Sequence, residues 1–301
     1  MRLSDFTHFT DLDIIKDCEF DFAVKTHSLS NNGKNLIFVL DNKYLSDINM
    51  SLVSGIITTH HLLDYFSKKF PNIGLAVSKN PKEIFYKIHI SLVENNFYFK
   101  RIPSRISPEA FVHPNAIISE NNVEIGKNTI IEEGVIIKDN VIIGENCLIQ
   151  SGTILGNDCF ETAIIDNKQR LIPHAGKLII KNDVVIQSNC SISKGLFPTK
   201  NTIIEDEVII ADMVHIAHGV QIKKRTRIAA NAVIAGNTIV GKNVWIGPSS
   251  TISNGLEIGD NSYITIGATV ITNVSSGQKV AGNFAVDFKN YLKFIGKLRS
   301  N

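Results

Sequence analysis

A period of six residues constrains this chain more than any other feature. From Ile204 onward every sixth residue is aliphatic, through Ile210, Ile216, Ile222, Ile228, Ile234, Val240, Ile246, Ile252, Ile258 and Ile264 to Val270. The register continues backwards through Ile192, Ile186 and Ile180 with Pro198 out of pattern, and an earlier block holds Ile125, Ile131, Ile137, Ile143, Ile149 and Leu155. Four residues after each aliphatic comes a second set, including Val208, Val214, Val220, Thr226, Ala232 and Thr238, mostly small or β-branched. Six is neither the helical period nor the alternation of a strand, so one long helix or strand is excluded and a hexapeptide β-helix is indicated. Each hexad forms one side of a prism, two of its positions face inward, and positions rich in Gly, Asn, Asp and Lys make the corners. Three sides make a coil, and successive coils pair as parallel strands about 4.8 Å apart, so a residue and its partner one coil later lie one above the other.

The rest of the chain has a different character. Of the 23 aromatic residues, 14 lie in positions 1–100 and only 5 in 101–280. Pro103, Pro108 and Pro114 mark the change, since such spacing cannot belong to a helix interior. Residues 1–103 are expected to form a small α/β domain, 104–280 the β-helix and 281–301 a short C-terminal helix. Strands are predicted at 36–40 and 54–58, and helices at 61–70 and 81–90. In the last helix Phe288, Leu292, Ile295 and Leu298 recur at helical spacing, which predicts an amphipathic segment closing the solenoid. The repeat breaks between Leu155 and Ile180, where a loop excursion is expected; long excursions usually serve binding, and a tolerated insertion is the alternative.

Composition narrows the function. With 31 Lys+Arg against 29 Asp+Glu the net charge is +2, which gives no electrostatic basis for nucleic-acid binding. No apolar run reaches membrane-spanning length, so membrane insertion is not expected. Cys18, Cys147, Cys159 and Cys190 are far apart and form no CxxC pair, so neither a disulfide framework nor a metal site is predicted, and a cytoplasmic setting is expected. Cys147 and Cys190 fall on small inward positions, where a nucleophile is not expected.

The hexapeptide register, with Ile-Gly pairs at 125–126, 143–144, 246–247 and 258–259, resembles the left-handed β-helix acyltransferases. The left-handed sense comes from that resemblance. FVLDNKYL (38–45), AVSKNPKEIF (76–85), the segment 170–192 and HIAHGV (215–220) are most similar to the UDP-3-O-acylglucosamine N-acyltransferases of lipid A synthesis and to related O-antigen enzymes that acylate nucleotide-linked amino sugars. The resemblance implies a homotrimer, a nucleotide-linked amino sugar as acceptor and an acyl thioester as donor, with no metal.

It also implies roles for individual residues. His218 matches the general base, and a neutral imidazole suits removal of a proton from an attacking amine, with a solvated corner histidine the alternative. Gly236, eighteen residues on, should lie over His218 and matches a backbone oxyanion donor, with an ordinary corner glycine the alternative. Phe38 and Tyr44 match an aromatic pair around the nucleotide pyrimidine, with core packing the alternative for Phe38, and Asn42 is placed to hydrogen-bond the base. His174 matches a segment near the acceptor sugar, with a structural hydrogen bond as the alternative. His215 either supports His218 or binds substrate, and Asp212 either orients His215 or meets the substrate amine. Lys223, Lys224 and Arg225 form a basic knot that either pairs with the phosphates of acyl-CoA or is solvated corner charge.

Departures from the lipid A pattern shape the expected specificity. Ile192-Ser193-Lys194-Gly195 replaces an Ile-Asp-Arg-Gly sequence, Asn254-Gly255-Leu256-Glu257 stands where a second histidine is usual, and the C-terminal extension is short. These favour transfer of a short acyl group, such as a hydroxyacyl group, from acyl-CoA to a dTDP- or UDP-linked amino sugar. The alternatives are the lipid A reaction with an acyl carrier protein donor, a zinc-dependent hydratase, for which His215 and His218 provide only two ligands, and a non-catalytic solenoid scaffold.

Overall fold

The computed structural model describes residues 1–41, 43, 45, 48–282 and 287–299. The fold is mainly β. Three parallel sheets of nine, eight and eight strands form the sides of a left-handed triangular prism, from Arg105–Ile106 to Lys279–Val280. Each side contributes only two to four residues per coil, and the ladder between coils supplies the hydrogen bonds that so short a strand cannot make by itself. Ile210 pairs with Ile228 and Ile228 with Ile246, the eighteen-residue stacking that the period predicts.

The inward aliphatics form one continuous core, with Ile210, Ile216, Ile222, Ile234 and Ile246 fully buried. Hydroxyls at the second inward position are satisfied by neighbouring carbonyls: Thr129, Thr226 and Thr238 donate to Gly144, Gly241 and Ser253. Cys147 and Cys190 occupy the same position and donate their thiols to the carbonyls of Lys181 and Ala211. Asn128, Asn146, Asn231, Asn237 and Asn243 take positive φ at corners, where asparagine is better tolerated than other residues with side chains.

Two coils are longer than the rest. Ile154 pairs with Ser191, 37 positions away, because residues 158–177 leave the prism and include a hairpin of Thr162–Ile165 and Lys168–Leu171. Leu178 pairs with Thr202, 24 positions away, so the hexad around Pro198 is a second excursion and not an imperfect side of the prism. Counting back from Ile204 through position 198 therefore misassigns one side.

Both excursions are bound to the N-terminal unit. Its sheet has the order β1 (Asp13–Lys16), β5 (Gly74–Val77), β4 (Val53–Thr58), β3 (Asn35–Val39), β2 (Phe22–Ala23), and it carries α1 (Leu63–Lys69) and α2 (Pro81–Glu94). Pro81 sits in the first turn of α2 and Asn80 caps it, accepting from the Glu83 amide. The predicted strands and helices are present; β1, β2 and β5 were not anticipated, being short and without clear alternation. The apolar face of α2, including Ile84, Phe85 and Ile88, shares one core with Ala163, Ile165 and Ile172 of the first excursion and Leu196 and Phe197 of the second. Thus the excursions are docking elements as well as walls of the site described below.

The C-terminal helix α3 (Phe288–Arg299) forms, with Phe288 and Leu292 of its predicted apolar face exposed and Ile295 half-buried.

His89 on α2 ties the two parts together. Its Nε2–H donates to the Pro173 carbonyl at 3.0 Å, and the Tyr98 hydroxyl lies 3.4 Å from Nδ1. Burial lowers its pKa to about 4, so the ring is neutral when folded, whereas the unfolded chain takes up a proton near pH 6.5. Stability present above pH 6.5 is therefore lost as the pH falls toward 4. Urea unfolding at pH 7.0, 6.0 and 5.0 should show this loss, and His89→Gln should flatten the dependence by up to about 1.4 kcal/mol per pH unit.

Candidate active site

His218 lies on the corner between the sides His215–Ile216 and Gln221–Ile222. The corner is fixed by the next coil, whose Asn237 N–H donates to the His218 carbonyl at 2.8 Å, and by Gly219, which has φ +69° and donates its N–H to Thr202. Gly236 stands directly over the ring: a Cβ there would be 2.9 Å from Nε2 and 3.0 Å from Cε1. Here glycine is required by space, because any side chain would displace the imidazole. The Gly236 N–H has no acceptor among the described residues.

The other side of His218 is closed by the first excursion. Cys159 Sγ lies 2.8 Å from His218 Nδ1, and the His174 ring meets His218 edge-on with centroids 5.4 Å apart. A ring with Nε2 available to accept a proton carries its hydrogen on Nδ1, where Cys159 Sγ is placed to receive it, and the Asn237 side-chain amide lies 3.5 Å from Nε2, so the two contacts fix the ring's orientation. Burial, reinforced by His174, lowers the His218 pKa to about 4. Burial raises the Cys159 pKa, so the sulfur is held as a thiol.

A cleft of about 500 Å³ opens between His218, the two excursions and the N-terminal unit, lined also by His215, Gly236 and Asn237. Glu161 accepts from Lys25 at 2.7 Å and from the Tyr86 hydroxyl at 2.6 Å. Burial works to raise its pKa, but these two hydrogen bonds outweigh it and the carboxyl stays below its usual range. The Lys200 ammonium also lines the cleft; burial lowers its pKa, and it has no carboxylate partner among the described residues. This leaves one half-buried cation uncompensated, an arrangement suited to an anionic ligand.

The structure brings His218, Gly236, His215 and His174 together. His174 is buried as a neighbour of His218 and Cys159, its Nδ1–H donating to the Ile172 carbonyl at 3.1 Å. Asp212 and Lys224 are one hexad before and after His218, and so occupy the other two corners of the coil. Asp212 accepts from the Ser188 amide and does not orient His215. Lys223 is bound to Glu205, while Lys224 and Arg225 are bound to Glu207, all outside the cleft lining. Phe38 is half-buried, packs on Phe85 at 4.9 Å and is outside the cleft lining; Asn42 and Tyr44 lie outside the described residues. Cys159, Glu161, Lys25 and Lys200 were not anticipated. The only sequence signal for Cys159, Glu161 and Lys200 was their position in or beside a break of the repeat.

The bacterial transferase hexapeptide family (six repeats) matches residues 122–157 and 201–236. The chain is a left-handed β-helix protein built of hexapeptide repeats. The UDP-3-O-acylglucosamine N-acyltransferase of Acinetobacter baumannii (strain AB0057) is 32% identical over 239 residues, covering 69% of this chain and 64% of that protein. The protein of the same name from strain AYE is 31% identical with the same coverage. The chain thus spans less than two thirds of the length of these curated relatives. Among solved structures, the UDP-N-acetylglucosamine acyltransferase from Campylobacter jejuni matches with a TM-score of 0.50 and 21% identity, over 60% of this chain and 72% of that one, a likeness of fold.

Because Lys25 and Glu161 are both largely buried, removing one partner should cost more than removing both. Glu161→Leu is expected to lower the unfolding free energy by about 2 kcal/mol, and adding Lys25→Met should recover part of the loss in urea titrations.

Proposed function

We propose that the chain is an N-acyltransferase that moves an acyl group from an acyl-CoA thioester to the amino group of a dTDP- or UDP-linked amino sugar. The observation that carries this reading is the stacking of a glycine with a free backbone N–H over the Nε2 of a neutral, oriented histidine, at the floor of a cleft with an uncompensated lysine. The amine attacks the thioester carbonyl while His218 Nε2 accepts its proton, and the Gly236 N–H donates to the carbonyl oxygen as it becomes an oxyanion. Collapse breaks the C–S bond, leaving an amide, and the proton on His218 passes to the departing thiolate. Such a base typically contributes about 10² to 10⁴ in rate, and one oxyanion donor about 10² to 10³.

The remaining roles belong to the same reading. Lys200 takes a phosphate of the substrate or donor, and His215 contacts the bound molecules from the cleft wall. Phe38, Asn42 and Tyr44 as a pyrimidine site depend on the resemblance alone. Val233 in the cleft lining is exposed, and Ile209 and Met213 expose apolar surface nearby in the chain, which supports completion of the site by further copies in a homotrimer. No helix among the described residues is long and apolar enough to cross a membrane.

A second reading, N-acylation of UDP-3-O-acylglucosamine from an acyl carrier protein thioester, is favoured by the names of the Acinetobacter relatives. A matrix of UDP- and dTDP-linked amino sugars against short acyl-CoAs and long hydroxyacyl carrier proteins separates the two. The expected result is turnover with a short acyl-CoA; turnover confined to the long carrier-protein donor and acylated UDP-glucosamine establishes the second. In the active combination His218→Ala should lower kcat by a hundredfold or more, and Gly236→Ala comparably, because the new methyl displaces the ring. Lys200→Met should raise KM about tenfold with a smaller change in kcat. An unchanged rate in His218→Ala would refute catalysis at this cleft.

A further inference from the structure

The environment of His218 holds a second kind of chemistry. Cys159 Sγ, a ring nitrogen of His174 and a ring nitrogen of His218 all lie within 4.8 Å of one another. They come from two places in the first excursion and one corner of the prism, so the fold, and not local sequence, gathers them. Cysteine sulfur and imidazole nitrogen are the donors preferred by Zn²⁺ and similar thiophilic divalent cations.

The arrangement is more than proximity. The His174 Nδ1–H is committed to the Ile172 carbonyl, which turns the Nε2 lone pair toward Cys159, where it accepts from the Cys159 amide at 3.4 Å and lies 3.5 Å from Sγ, so a cation there would take the place of the amide contact. A carbonyl partner on the far nitrogen is the usual second support of a metal-bound histidine. With Zn–S near 2.3 Å and Zn–N near 2.0 Å in a tetrahedron, sulfur and nitrogen ligands stand about 3.6 Å apart. The Cys159–His174 separation already meets this, and Cys159–His218, at 2.8 Å, must open by somewhat less than an ångström. His174 is buried, Cys159 and His218 reach the cleft, and the fourth position is left to water.

We propose that Cys159, His174 and His218 form a site for one thiophilic divalent cation, and that its occupancy excludes His218 from acting as a base. On binding, the Cys159 thiol releases its proton to solvent and the sulfur bonds to the metal. His218 must offer Nδ1 as a lone pair, so its hydrogen moves to Nε2, the atom beneath Gly236. The nitrogen that would accept the amine proton is then already protonated. This second half rests on the proposed function; the binding half does not.

The test uses the full chain, reduced and freed of metal with a chelator, without substrates. Co²⁺ is the probe, because thiolate coordination gives an intense near-ultraviolet charge-transfer band. The expected result is one Co²⁺ per chain with that band, displaced by Zn²⁺, absent in Cys159→Ser, and with affinity at least tenfold weaker in His174→Gln. A second readout needs no variant: stoichiometric Zn²⁺ should protect Cys159 from alkylation by iodoacetamide, mapped by mass spectrometry. Absence of the band, equal Co²⁺ affinity in Cys159→Ser, or unprotected Cys159 overturns the site. If binding holds, acyl transfer should fall at least tenfold with one Zn²⁺ per chain and return with chelator; full activity at complete occupancy overturns the exclusion while leaving the site standing.

Discussion

The ladder of backbone hydrogen bonds between coils governs the molecule. A side of two or three residues has no stability alone, and becomes a strand only because the coils above and below pair with it. That pairing requires the chain to return to the same height on the same face, and the buried aliphatics enforce the return by having one place to go. Vertical alignment of corners follows from it. Gly236 is over His218 for the same reason that Ile234 is over Ile216, so a rule about hydrophobic burial places a glycine backbone beside an imidazole.

The ladder alone does not make a site. A corner imidazole on a bare prism would be solvated and free to rotate. Here Cys159 fixes its ring and the second excursion narrows its surroundings, while the N-terminal unit holds both excursions through a shared core and through the His89 contact to Pro173. The small α/β unit thus supports the site mechanically.

The period made the prism, its core and the stacking of Gly236 on His218 legible, since all three depend only on residue spacing. What it could not reveal was which corner faces the cleft. Residues 212, 218 and 224 are equivalent by spacing, yet point about 120° apart in a triangular coil, and only tertiary contacts distinguish them. Asp212 and the basic residues at 223–225 therefore looked like site residues but make ladder contacts along other edges. Cys159 and Lys200 were hidden for the opposite reason. They lie off the repeat, where sequence position says nothing about spatial neighbours, and the 24-residue coil around Pro198 shifted the count besides.

The two excursions leave the prism and rejoin it on the face where the next strand is due. Nothing in the ladder limits what the chain does between departure and return. Ligand preference can thus drift by exchange of these interludes while the reacting corner stays put, and the scaffold behaves as a fixed chassis with interchangeable walls.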